Sequence, residues 1–247
     1  YDKITSLSVA NNDLGKSSAA ALKNLLWGER AACPLRSLDL SGNVGLDGYD
    51  TALAIKRNES LTSVDFRNIP SANTEDIYSF LGTFLLQEEC MCRLGLLSCD
   101  AFEVVAGQEE LTLLLKEPEE LPEGEEVGAS PAPGKGSKLG VMSMLAGVLK
   151  FNQSLQRVCV ADTGLDDAAG AFFATALLEN KTLQELDVSS NPIGTTGIAD
   201  IAAAAREHPA IVSLKTDGAA LPIAQLRGAK GAEGNLDFTD VGLGALS

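Results

Sequence analysis

The pattern LxxLxL returns along this chain, and no fold that ignores it can bury the residues it places. "LQRVCVADTGLDDAAG" from Leu155 and "LQELDVSSNPIGTTG" from Leu183 start 28 residues apart, and the same frame opens at Ile4, Leu35, Leu61 and Ile211. A weaker copy starts at Met91 and a partial one at Asn235. Within each copy the second and third apolar positions alternate, as Leu38 and Leu40 or Leu186 and Val188 do, which predicts a short strand with one face on a core. Apolar residues then follow at helical spacing. Leu22, Leu25 and Leu26 share one face, as do Phe80, Leu81, Phe84 and Leu85, then Phe172, Phe173, Ala176 and Leu177, then Ile198, Ile201, Ala202 and Ala205. A strand and a helix in so few residues cannot cover both apolar faces alone, so neighbouring units must stack into a solenoid.

These units resemble the ribonuclease-inhibitor-type leucine-rich repeat family, with its LxxLxLxxNxLGxxG signature followed by a helix. The resemblance is strongest over 4–26, 35–46 and 155–205. It implies an α/β solenoid, or horseshoe, spanning 1–247 as a single domain, with a parallel inner sheet and helices on the convex side. Three sites depart from the signature. Asn68 stands one position early and is followed by Pro70, the fourth unit is interrupted, and the seventh carries Pro222 where its helix should begin. The inner sheet is expected to run through all three, leaving the convex side irregular.

The interruption is read as an insertion over 102–138. Phe102–Ala106 and Leu111–Leu115 flank Gly107 as a hairpin projecting from the solenoid. An acidic, Pro- and Gly-rich mobile loop is expected beyond it.

Charge and composition exclude several functions. With 34 Asp and Glu against 19 Lys and Arg, the net charge is −15, which repels phosphate backbones and anionic lipid. No nucleic-acid or membrane partner is expected, and no apolar run approaches the roughly 20 residues of a membrane span. Five cysteines, Cys33, Cys90, Cys92, Cys99 and Cys159, make an odd and scattered set that suits a reducing, intracellular and cytoplasmic setting.

Chemical motifs dissolve into the repeat. Gly15-Lys16-Ser17 has the context of a phosphate loop, but the first glycine of that motif would fall on Ala10. Cys90, Cys92 and Cys99 lack zinc spacing, and His208 is the single histidine, so no metal, cofactor or catalytic site is expected. Cys99 is assigned to the loop position of Asn12, Asn43 and Asn191. Asn58, Asn152 and Asn180 head N-x-S/T sequons at one repeat phase, where a left-handed helix cap accounts for them without sugar. Asp166 and Asp167 are expected to start a helix.

What remains is the concave face. The residue between the two core positions of each strand gives the column Ser8, Asp39, Asp65, Gly95, Cys159, Asp187, Lys215 and Asp237, half of it aspartate. This is the candidate binding face for a protein partner, a basic one by charge. The reading is a non-enzymatic interaction module or scaffold. The resemblance also covers Ran-type GTPase-activating proteins, innate sensors and axonemal scaffolds, the last placing the chain in a cytoskeletal or ciliary assembly. Because Asn235–Leu246 starts a strand with no helix to cover it, further sequence or a partner is expected to cap the C-terminal end.

Overall fold

The computed structural model describes residues 3–27, 34–69, 71–115, 135–217 and 219–223. Each repeat signature opens with a three-residue strand: β1 Ser6–Ser8, β2 Ser37–Asp39, β3 Ser63–Asp65 and β4 Leu96–Ser98. After β4 come β5 Glu103–Val104 and β6 Glu110–Thr112, then β7 Arg157–Cys159, β8 Glu185–Asp187, β9 Ser213–Thr216 and β10 Ala219–Pro222. Helices α1 Ser18–Trp27, α2 Gly48–Lys56 and α3 Ser71–Leu86 follow β1 to β3, and α4 Lys135–Phe151, α5 Asp167–Glu179 and α6 Thr195–Glu207 follow β6 to β8. The helix α4 starts at Lys135, so 135–138, expected in the acidic loop, belong to its first turn; 116–134 lie outside the described residues.

The strands pair in parallel and in repeat register. Leu7, Leu38, Val64 and Leu97 stand opposite one another along β1 to β4, and Leu111, Val158, Leu186 and Leu214 along β6 to β9. These positions, with Leu40, Phe66 and Val160 two residues on, form the core between the strands and the helices, where Leu22, Leu81, Leu85, Phe173, Leu177, Ile201 and Ala205 meet them. The outer members of the expected helical stripes, Leu25 and Phe80, are instead exposed, because a layer covered on one side buries only the inner part of a stripe.

The expected hairpin does not form as one. β5 turns back antiparallel onto β4, whereas β6 runs parallel to β7, with Leu111 and Leu113 at the two core positions of a strand. β6 is therefore a repeat strand whose unit the sequence reading had assigned to an insertion. The sheet divides here into β1 to β5 and β6 to β10. The helix layer continues instead: α3 and α4 form the most extensive contact between any two elements. That is the reverse of the expected continuous sheet and irregular convex side. Small residues make it so, since a Cβ on Gly82 would lie 2.4 Å from the Met144 backbone nitrogen, an approach that only glycine allows.

Each sheet ends in a reversed strand. β10 lies antiparallel against β9, pairing Pro222 with Ser213, and Ile223 beyond it is buried. Pro222 sits in an edge strand, where its missing N–H costs no ladder bond. The last described parallel strand, β9, is thus covered by β10; Asn235–Leu246, where an uncovered end was expected, lie outside the described residues.

Candidate functional site

Seven of the eight expected face residues are described, and six stand in two rows of three, one on each sheet. Ser8, Asp39 and Asp65 are aligned on β1 to β3, and Cys159, Asp187 and Lys215 on β7 to β9. Gly95 belongs to neither row. The register pairs Ser98 with Asp65, because the apolar frame of this unit begins at Leu94 rather than Met91. Thr112 holds the equivalent place on β6, and Asp237 lies outside the described residues. The same shift moves Cys99 off the loop position and onto the third core position, the one filled by Leu40 and Phe66. Cys99 is buried there, and burial pushes its thiol up from the ordinary range.

The aspartates serve the turn first. The Asp39 carboxylate accepts the Ser41 N–H at 3.0 Å and the Ser41 hydroxyl at 2.7 Å on one oxygen, and Asp187 accepts the same two groups of Ser189. The other oxygen faces sideways. On Asp39 it accepts the Ser8 hydroxyl at 2.8 Å, and on Asp187 the Lys215 ammonium at 2.8 Å. Partial burial works against both charges. The serine hydroxyls and N–H groups, joined at Asp187 by Lys215, outweigh it and hold both carboxyls below the ordinary value of 3.8. Asp65 accepts the Arg67 N–H and guanidinium, and Arg67 also reaches Glu103 at 3.6 Å.

Arg67, Glu103 and the N-terminal strand row were not among the expected residues. That row reads Ser6, Ser37, Ser63 and Leu96 on the first sheet and Glu110, Arg157, Glu185 and Ser213 on the second, with Arg157 and Glu110 ion-paired. Short hydroxyl side chains flank the acids on the first sheet, while the second carries alternating charge. A sequence signal existed in the Ser at the head of three successive strands.

Behind this face two asparagine systems hold the backbone. Asn43 donates to the carbonyls of Val9, Leu40 and Ser41 and accepts the N–H groups of Asn12 and Leu14; Asn191 repeats this with Val160, Val188, Ser189, Thr163 and Leu165. At the other strand end, Asn58, Asn152 and Asn180 are buried. Each accepts the N–H two and three residues on and donates to an earlier turn of the chain. Asn180 has φ −62° and ψ 148°, so its cap is extended and not left-handed as expected.

His208 takes the same phase. Its Nδ1 accepts the N–H groups of Ala210 and Ile211, which places the proton on Nε2, 3.2 Å from Asn180 Oδ1. Asp166 caps α5 through the Ala169 N–H, as expected, and Asp167 accepts the Gly197 N–H. Among the described residues no group of three or more His, Cys, Asp or Glu converges as a metal would require. None of their helices is long and apolar enough to cross a membrane.

Short parallel strands on a common register, one helix per full unit and an asparagine bound to successive turns are compatible with a leucine-rich-repeat solenoid. Residues 179–202 match the family model described as Leucine Rich repeat. A 54-residue stretch, 22% of the chain, is 41% identical to Protein TORNADO 1 of Arabidopsis thaliana. The match spans 4% of that protein's length.

Proposed function

We propose that this chain is a protein-interaction module or scaffold of the ribonuclease-inhibitor type, taking a basic protein partner across the strand face of its first sheet. Leucine-rich repeats serve broadly as interaction modules. One observation carries the choice of face. On β1 to β4 the outward side chains are short hydroxyls and acids except for Leu96, with Asp39 and Asp65 among them, and Arg67 lies between Asp65 and Glu103 of β5. Such a surface is flat enough for a folded partner and complementary to Arg and Lys. Burial of Cys90, Cys92 and Cys99, with Cys92 pushed up to about 12, suits the reducing cytoplasmic compartment that the cysteine usage favours.

The test begins with capture of a partner by the whole chain and continues with association rates against salt. Asp39→Asn and Asp65→Asn remove charge while leaving an oxygen for the turn. Association should slow by about three- to tenfold at low salt, and the salt dependence should flatten. Asp200→Asn on α6 makes the same charge change on the helix side. Equal slowing by Asp200→Asn would reject the strand face.

A further inference from the structure

Where the sheet divides, the turn 105–108 stands in the place of a full repeat unit and leaves a cleft of about 810 Å³ at the N-terminal ends of the strands. Its walls come from Gly95 and Leu96 at the head of β4, Ala106 and Gly107 of the turn, and 151–154 behind α4. The floor is fixed by the close seat of Phe151 on Gly95, where an added Cβ would come within 2.9 Å of the Phe151 carbonyl oxygen.

On a chain of net charge −15, three cations line this space: Arg93, Lys150 and Lys181. Arg93 and Lys150 lie 5.0 and 5.2 Å from the centre of the Phe151 ring, so they can be no further apart than the sum of those distances. Lys150 is only 7% exposed. Each cation donates to a carbonyl: Arg93 to Cys90 in the loop after α3 at 3.1 Å, Lys150 to Leu86 at the end of α3 at 3.4 Å and Lys181 to Leu178 in the last turn of α5 at 3.2 Å. These carbonyl contacts account for one donor on each and leave the rest. Among the described residues none of the three is within ion-pair distance of a carboxylate, and Glu179 is the one acid in the lining. A buried charge without a counter-charge is costly.

We propose that this cleft binds an acidic peptide segment, with its carboxylates among Arg93, Lys150 and Lys181. The lining fits a peptide better than a flat aromatic ligand. The Phe151 ring is already engaged by two cations, while Thr62, Asn152, Gln153, Ser154 and Thr182 offer amides and hydroxyls for a main chain. The acids elsewhere on the chain do not forbid this, because salt screens charges beyond about 8 Å under physiological conditions.

The experiment uses the whole chain and an end-blocked, fluorescently labelled tetraglutamate peptide, read by anisotropy. Arg93→Gln and Lys181→Gln keep the aliphatic stems; each should weaken binding about tenfold. Arg93→Lys should restore most of the affinity, which separates lost charge from lost packing. Lys16→Gln, an exposed lysine in the first unit, and Asp39→Asn on the strand face should leave binding unchanged, so this result stands apart from the fate of the strand-face reading. Failure of the peptide to bind, equal weakening by Lys16→Gln, or displacement by equimolar inorganic phosphate would each overturn the proposal, the last in favour of a simple oxyanion site.

Discussion

At the scale of single residues, the interior polar groups are as position-specific as the leucines. Leu186 is buried at 1% exposure in the middle of the second sheet, and Leu186→Ala should cost about 2–5 kcal/mol in chemical denaturation through the cavity it leaves. His208 offers a sharper test, because it performs the task of an asparagine. His208→Asn should hold stability to within about 1 kcal/mol, since Asn180 already accepts N–H groups two and three residues on in the same way. His208→Leu should lose about 2–4 kcal/mol by stranding the Ala210 and Ile211 N–H groups. The strand-face acids act through pH. The folded-state pKa of Asp39 and Asp187 lies below the ordinary 3.8, so their stabilising contribution is full above that value and is lost as pH falls through the lower folded one. Thermal melts from pH 6 to pH 2 should show the acid loss flattened in the Asp39→Asn, Asp187→Asn double variant.

Among elements, the outcome turned on where a pattern was long enough to be read. The repeat frame of β2, β3, β7 and β8 was legible because Leu, Val and Asp recur at fixed spacing and each strand is followed by an amphipathic stripe. β6 was not. Its Leu111 and Leu113 lie in a run that continues through Leu114 and Leu115, so alternation is masked, and no helix separates it from β4. The β4 frame misled for a similar reason. Met91, Leu94, Leu96 and Leu97 permit two registers, and pairing with β3 selects the one that buries Leu97. Six of the eight candidate positions, Ser8, Asp39, Asp65, Cys159, Asp187 and Lys215, keep their place in the strand register despite that error, because they lie where the frame is unambiguous. The cleft at the sheet break was invisible, since Arg93, Lys150 and Lys181 belong to three different turns of the chain. The α3–α4 contact yields a prediction at this scale. Gly82→Val should overpack against Met144 and Ser143 and destabilise by about 1–3 kcal/mol or more.

For the whole molecule, two sheets share one helix layer, and that layer decides whether the repeats unfold together. Stability in stacked repeats is a sum of unit and interface contributions, so a weak interface divides the transition. The sheet contributes no ladder between β5 and β6, leaving α3 and α4 to couple the halves. Hydrogen exchange on the unaltered chain should therefore show one cooperative opening. In Gly82→Val the strands β1 to β4 and β7 to β9 should open at different denaturant concentrations. A single shared midpoint in that variant would place the coupling elsewhere.

The buried sequon asparagines bear on the route by which such a chain can be made. Glycan transfer acts on the side-chain nitrogen of an accessible Asn, and in the folded protein that nitrogen of Asn58 donates to Leu26, that of Asn152 to Gly95, and that of Asn180 to Leu149 and Asn152. A sugar attached during translocation would sit where the next turn of the chain must close. Directed into a secretory pathway behind an added leader, the polypeptide should emerge either sugar-bearing and unable to pack, or unmodified and native. Enzymatic deglycosylation followed by protease digestion would sort the two populations. In the native fold, then, the three residues hold the turns together with the very nitrogens that a glycan would occupy.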